Sequence, residues 1–247
     1  MRYFAGVPAS QTPGPLIGSG RSADVYALGD GRVVRRFRTP HDAQPEAELM
    51  RHLAAAGYPV PAVYDADGPD LVMERLDGRD MLADLGRRPW LVARHGRLLA
   101  ELHNRLHSIQ APEGWPEALG PGRSVLHLDL HPANVMLTSR GPVVIDWTNA
   151  RAGAAGADVA MAYLIMSTAE TDLIPVGLRP LIRLLRAGLF RAFLSVVADD
   201  PMPYIATVAR ARLSDRNTRP SEAARLLRAA ERAEQAARKP GPAGAPG

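Results

Sequence analysis

The sequence predicts an α+β protein in two parts, a small strand-rich lobe with one helix and a larger, mainly helical lobe. Three observations carry this expectation. Short apolar runs broken by glycine-rich turns fill residues 16–37 and return at 70–74. From residue 91 onward, apolar residues recur at helical spacing over several long segments. Between the two halves, Gly78 closes the run from Leu71 and reads as a hinge.

The elements follow in order. Leu16 to Leu28 is apolar, then glycine-rich, then strand-like, and Gly29-Asp30-Gly31 marks a turn into a strand from Arg32 to Phe37. Glu46, Leu49 and Leu53 recur at helical spacing within 42–56, and Gly57 is a stop signal. Pro59 to Tyr64 and Asp70 to Glu74 read as strands. The segment from Leu91 to His107 puts Leu98, Leu99, Leu102 and Leu106 toward one face of a helix, and 125–147 reads as a loop with short strands. Further helices are expected at 155–168, 178–198, 203–213 and 221–238, the last with Ser221 as N-cap. The expected boundaries are therefore 1–76 for the small lobe, 77–239 for the helical lobe, and a disordered tail at 240–247, whose Pro, Gly and Ala cannot bury apolar surface.

Bulk properties narrow the function classes. At 247 residues the chain can bury a substantial core, and with no Cys it has neither a disulfide framework nor a thiolate metal site. That suits a reducing cytoplasm. The first fifteen residues lack the basic start and apolar run of a signal peptide. Arg179, Arg183, Arg186 and Arg191 break the apolar stretch from Leu178 to Ala198, so no membrane partner is expected. Net charge is +4 with pI near 9.8, but basic and acidic residues are interspersed and aromatics are few, so no nucleic-acid partner is expected either. The only lysine is Lys239, so arginine must serve wherever a fixed positive charge is needed upstream.

The most informative stretch is His127-Leu128-Asp129-Leu130-His131-Pro132-Ala133-Asn134, followed by Val144-Ile145-Asp146-Trp147. An Asp offered as base for a hydroxyl, an Asn five residues later, and a second Asp ending an apolar strand form the set that phosphoryl transfer from ATP uses.

These residues resemble the aminoglycoside phosphotransferase family, part of the protein-kinase-like superfamily. Its catalytic loop reads His-Gly-Asp-x-His-x-x-Asn and its metal motif Ile-Asp-Trp. This chain departs only at Leu128, where the family has Gly. The resemblance runs from about Leu16 to about Tyr163 and implies a bilobal protein-kinase-like fold, with ATP and Mg²⁺ as cofactors. By the same resemblance Asp129 is the catalytic base, Asn134 and Asp146 hold Mg²⁺, and His127 and Asp158 brace the loop. His131 contacts phosphate or carboxylate, or braces the loop as well. Gly18, Ser19, Gly20 and Ser22 belong to the nucleotide-positioning loop, where missing Cβ atoms let the backbone approach phosphate. Arg35 takes the place of the phosphate-gripping Lys, although a one-residue slip would select Arg36 and flip the face. Glu46 is its helix partner, with Glu48 the second choice. The backbone of Glu74 and Leu76 would meet the adenine edge, with Met73 as an apolar wall.

The resemblance thus implies a small-molecule kinase acting on a hydroxyl acceptor, an aminoglycoside or related antibiotic among the candidates, working as a monomer or homodimer. Choline-, homoserine- or sugar-type metabolite kinases share the fold. The missing Lys leaves a nucleotide-binding pseudokinase as the other alternative. A protein kinase is disfavoured, because no Asp-Phe-Gly or Ala-Pro-Glu segment stands between Asp146 and Asp158. A cationic acceptor would call for carboxylates in the helical lobe, for which Glu170, Asp172, Asp199 and Asp200 are the candidates. His103 and His107, at i and i+4, are expected to pack rather than bind metal.

Overall fold

The structure, a computed structural model, describes residues 13–20, 22–168, 175–214, 218 and 220–238. The chain divides into two compact units, one formed by 1–81 with 133–148 and the other by 82–132 with 149–247.

Unit 1 is built on a five-stranded antiparallel sheet. Its strands are β1 (Leu16–Ser19), β2 (Ala23–Ala27), β3 (Arg32–Phe37), β4 (Val63–Asp67) and β5 (Asp70–Glu74), in spatial order β1-β2-β3-β5-β4. Helix α1 (Gln44–Ala55) packs against β4. Ala47, Leu49 and Leu53 of α1 and Leu71 of β5 are all fully buried. The short strand β6 (Arg79–Asp80) follows, and α2 (Met81–Arg87) opens at the boundary.

Two expectations need correcting here. Residues 59–62 are not strand, and β4 begins only at Val63. Pro59 and Pro61 have no N–H to give a ladder. The carbonyls of this segment still work, because Pro59 accepts from the N–H of Val144 and Ala62 from that of Glu74, each at 2.8 Å. The single cut at 76/77 is also not how the contacts divide. Further strands, numbered on along the chain, are β7 (Glu117–Ala118), β8 (Ser124–Leu126), β9 (Val135–Thr138), β10 (Gly141–Val144) and β11 (Arg151–Gly153). The β9–β10 hairpin pairs with β6 in the order β10-β9-β6, which ties 133–148 to unit 1. Pairing of distant segments leaves no local trace in sequence.

Unit 2 is mostly helical, with a small sheet in the order β7-β11-β8. Its helices after α2 are α3 (Val92–His107), α4 (Ala155–Thr168), α5 (Arg179–Leu194), α6 (Ile205–Leu213) and α7 (Pro220–Arg238). Helix α4 is buried almost all round, as a central helix must be. Its Ala157, Ala160 and Leu164 pack with Val208 and Ala209 of α6 and Leu226 of α7. Helix α5 ends earlier than its apolar run suggests, because the N–H groups of Val196 and Val197 both turn back to the carbonyl of Phe193. Helix α7 starts at Pro220, which places Ser221 inside its first turn rather than at the cap. The tail at 240–247 lies outside the described residues. No helix among the described residues is long and apolar enough to cross a membrane.

The buried stripe of α3 carries three histidines besides its leucines, and each is bonded. The Nε2 of His95 lies 2.8 Å from the fully buried carboxylate of Asp84 on α2, which Arg88 also binds. His103 reaches the carbonyl of Leu99 at 2.9 Å, and His107 meets Asp158 and Asp199. On the same buried stripe of α3, Gly96 allows α5 to come close. A Cβ at Gly96 would lie 2.6 Å from the carbonyl oxygen of Leu189 and 2.8 Å from the Cβ of Ala192. Gly96→Val should therefore separate α3 from α5 and cost about 3 kcal/mol or more, measured by urea denaturation; a change under about 0.5 kcal/mol would show that this packing is slack.

Candidate active site

In unit 1 the sheet, α1 and the β10 strand end enclose a cavity of about 480 Å³. Val25, Val33, Met50 and Met73 give it apolar walls, while Gly20, Ser22, Arg35, Glu46, Asn134 and Asp146 supply polar groups. These residues come from segments more than a hundred positions apart. Strand alternation decides which arginine enters. Arg35 is 8% exposed and faces the cavity, and Arg36 points to the other side, bound through Nε and Nη2 to Asp70 at 2.7 and 2.6 Å.

Arg35 uses both arms of its fork. Nη1 donates to Oε1 of Glu46 at 2.6 Å, and Nη2 donates to Asp146 at 2.9 Å and to the Thr148 hydroxyl at 2.5 Å. Its guanidinium also lies over the ring of Phe37, two residues along the same face, at 4.7 Å. Glu46 in turn accepts from the backbone N–H of Trp147 and the hydroxyl of Thr148, both at 3.2 Å. The buried carboxylate is thus fully supplied with donors. Trp147 is locked by its indole N–H on the carbonyl of Val144 and by an edge contact with Tyr58. Asp146 sits at φ 68°, a left-handed backbone that turns the chain sharply at the end of the strand.

Unit 2 holds Asp129. Asp158, fully buried in the first turn of α4, accepts the backbone N–H groups of His127 at 3.1 Å and Leu128 at 2.6 Å. Leu128 has φ 61°, a left-handed backbone that favours glycine, so a non-glycine there needs such a clamp. The loop continues to Asp129, whose N–H donates to Nδ1 of His127 at 3.2 Å and whose carboxylate lies 3.5 Å from Nε2 of His131. Burial pushes the Asp129 carboxyl up, but the contact with His131 and the charge of Arg212 outweigh it, so the group is held below the usual range. Asp129 is therefore a carboxylate at neutral pH.

A charged cluster lies behind Asp158. Burial pushes His107 down, but its bonds to Asp158 and Asp199 prevail and raise it to about 9. Burial would raise Asp158, and His107 instead holds it well below the carboxylate range. His103 beside them is lowered to about 4, chiefly by burial, and stays neutral.

The sequence-predicted residues can now be placed. Gly20, Ser22, Arg35, Glu46, Glu74, Leu76, Asn134 and Asp146 all line the one cavity. Gly18 and Ser19 do not. Gly18 is paired with Val25 in the sheet, and the Ser19 hydroxyl is taken up by Asp24 at 2.7 Å and by Arg38. That network also holds Asp24 down to about 2, first through Arg38 and then Ser19. The N–H of Glu74 is spent on Ala62, so any contact from its backbone to a base must come from its carbonyl. Thr148 and the Asp84–His95 pair carried no sequence signal, since a lone Thr or a single Asp has no pattern to stand out from. A carboxylate and a carboxamide in one cavity form an oxygen-only set that fits Mg²⁺, which keeps water and phosphate ligands of its own. No group of three or more His, Asp or Glu forms a complete metal cage among the described residues.

Residues 14–123 and 112–193 match the phosphotransferase enzyme family. The chain belongs to that family. The chain is 31% identical over 182 residues to a probable serine/threonine-protein kinase of Streptomyces coelicolor, a match that takes in 64% of the chain and 25% of that protein. The chain thus spans about a quarter of the length of this curated relative. Its fold is similar to that of a choline/ethanolamine kinase family protein from Mesorhizobium loti, with a TM-score of 0.58 at 16% identity, covering 94% of this chain and 90% of the other. It is also similar to an aminoglycoside phosphotransferase APH(4)-Ia in complex with AMP-PNP and hygromycin B, with a TM-score of 0.57 at 14% identity, covering 92% and 94%. At such identities the likeness shows the fold, a bilobal protein-kinase-like one.

Two outcomes follow from this geometry. Arg35→Met leaves Glu46 buried without its cation and should cost about 3–5 kcal/mol, whereas Arg35→Lys keeps a charge and should cost clearly less; equal losses in chemical denaturation would refute a charge-based role. His107 keeps its proton in the folded state up to about pH 9, while in the unfolded chain it loses it near pH 6.5. Its contribution is therefore complete below about pH 6.5 and lost as pH rises through about 9. Stability should fall over that window in the native protein, and His107→Gln should flatten the profile.

Proposed function

We propose that this chain moves the γ-phosphoryl group of ATP to a hydroxyl of a small molecule, with Asp129 as base. The observation that carries the reading is the unit 1 cavity, which collects the glycine turn, Arg35, the segment after β5, Asn134 and Asp146 from distant parts of the sequence. Each is a part that phosphoryl transfer needs, and random assembly of a cavity would not select all of them.

The adenine would lie against Met73 and Val33, with the backbone at Glu74 and Leu76 along its edge. Arg35 would turn Nη2 from Asp146 and Thr148 toward phosphate while Nη1 stays on Glu46, which a two-armed side chain can do and a lysine cannot. Asn134 and Asp146 would hold Mg²⁺, which when bound neutralises charge on the phosphate oxygens. Asp129 accepts a hydrogen bond from the acceptor hydroxyl and orients its oxygen. That oxygen bonds to the γ-phosphorus as the bond to the ADP oxygen breaks, and the hydroxyl proton passes to Asp129 late in the step. The products are the phosphate ester and ADP. The AMP-PNP held by the aminoglycoside phosphotransferase of similar fold supports ATP as donor. A cysteine-free, ATP-dependent enzyme would work in the cytoplasm.

A coupled ADP-release screen tests the proposal. Its acceptors should cover aminoglycosides, other hydroxylated antibiotics, choline, ethanolamine, sugars, amino-acid alcohols and a protein substrate, each with Mg²⁺. Turnover should depend on Mg²⁺ and drop at least ~100-fold in Asp129→Ala, with ATP binding kept. ATP binding with no release for any acceptor would sink the enzyme reading in favour of a nucleotide-binding pseudokinase.

A further inference from the structure

Of the carboxylates expected to meet a cationic acceptor, Asp199 is bonded to His107, Asp200 accepts from the N–H of Met202, and Glu170 and Asp172 lie outside the described residues. The metal side of unit 1 is more fully determined, and it contains a residue with no part in the transfer step. The hydroxyl of Thr148 accepts from Nη2 of Arg35 at 2.5 Å, and it lies 3.0 Å from Oδ1 of Asp146 and 3.2 Å from Oε2 of Glu46. A hydroxyl has one hydrogen to give, so at any moment it serves one of the two carboxylates.

The surroundings decide which. Glu46 also holds Nη1 of Arg35 and the N–H of Trp147, both on Oε1. Asp146 holds Nη2 of Arg35. When Nη2 turns to phosphate in the proposed step, Glu46 keeps its other two donors, whereas the hydroxyl is what Asp146 keeps among the described residues. The Asp146 side chain is nearly half exposed, and a carboxylate rotates broadly about its last bond unless something bonds to it. Thr148 is rigid by comparison. It follows Trp147, which is buried and tied down through its N–H on Glu46 and its indole on the carbonyl of Val144, and its branched Cβ restricts χ1.

We propose that Thr148 is a positioning residue for the metal: its hydroxyl donates to Oδ1 of Asp146 and holds that carboxylate at the angle Mg²⁺ requires. The proposal rests on the reading of Asp146 as a metal ligand given above. Metal-ligating carboxylates are held by hydrogen bonds of their own, and losing such a partner weakens metal binding about 10–100-fold. The choice of cation also matters. Mg²⁺ demands near-ideal octahedral geometry, whereas Ca²⁺ accepts a larger and more flexible shell of oxygens. A carboxylate that has lost its aim therefore fails Mg²⁺ more than Ca²⁺, while general damage to the site fails both alike.

Calorimetric titration of the full chain with AMP-PNP in excess Mg²⁺, in excess Ca²⁺ and in EDTA separates the metal's share of binding from the rest. Thr148→Val keeps the branched shape and removes the hydroxyl. It should weaken binding in Mg²⁺ by about tenfold or more, weaken it clearly less in Ca²⁺, and leave it nearly unchanged in EDTA. Thr148→Ser restores a hydroxyl and should recover most of the loss in Mg²⁺. Thermal melting verifies the fold, and Thr148→Ala removes the same hydroxyl with less bulk should the valine variant not fold. Equal losses in Mg²⁺ and Ca²⁺ overturn the proposal, as does a serine variant no better than the valine one. Asp146→Asn tests the reading beneath it. If Asp146→Asn loses the gain from Mg²⁺ and Thr148→Val keeps it, the positioning role fails and the metal role of Asp146 stands. If the unaltered protein binds AMP-PNP equally in Mg²⁺ and in EDTA and Asp146→Asn changes nothing, the metal role fails and the positioning role falls with it.

Discussion

A buried carboxylate has to be given donors, and both units are organised around meeting that demand. In unit 2 the carboxylate is Asp158, which takes the N–H groups of His127 and Leu128 and the ring of His107. In unit 1 it is Glu46, which takes Arg35, the N–H of Trp147 and the hydroxyl of Thr148. Leaving either group short of donors would cost several kcal/mol. The donors, once committed, fix the backbone beside Asp129 and Asp146: Asp129 follows Leu128 directly, and Asp146 precedes Trp147 directly.

Arginine in place of lysine fits this arrangement. A lysine brings one compact charge, whereas the guanidinium of Arg35 serves Glu46 with one arm and Asp146 and Thr148 with the other. The same fork stacks over Phe37, so part of its desolvation is offset by the ring face. In a chain whose only lysine is Lys239, it is arginine that brings the cation to the buried Glu46.

Much of this was legible in the sequence because it is written locally. The spacing of Asp129, Asn134 and Asp146, the helical period of 155–168 and the strand at Asp70–Glu74 each lie within one short window, and the structure keeps them there. Burial also settled what alternation alone left open, selecting Arg35 over Arg36 as the partner of Glu46. What could not be read depends on distant segments meeting. The return of 133–148 to β6, the Thr148 contact and the Asp84–His95 pair are of this kind. Ser19 shows the opposite failure: a hydroxyl in the right motif was claimed by Arg38 and Asp24, charges that lie close only in the folded sheet.

Two of the four left-handed non-glycine residues among those described, Leu128 and Asp146, stand where these clamps act. Each costs about 1–2 kcal/mol as a non-glycine in that conformation, and each lies at or beside a residue assigned to the transfer step. Hydrogen bonds to charged groups are worth about 1.5–3 kcal/mol, enough to offset the strain at both places. The N–H of Leu128 itself goes to Asp158, and the N–H immediately after Asp146 goes to Glu46. Strain and clamp therefore occur as a pair in each unit. A relaxed backbone would aim Asp129 and Asp146 elsewhere, and a clamp without strain would have nothing to hold. Leucine at 128, in a conformation that favours glycine, is tolerable in this chain because the Asp158 clamp is short and buried.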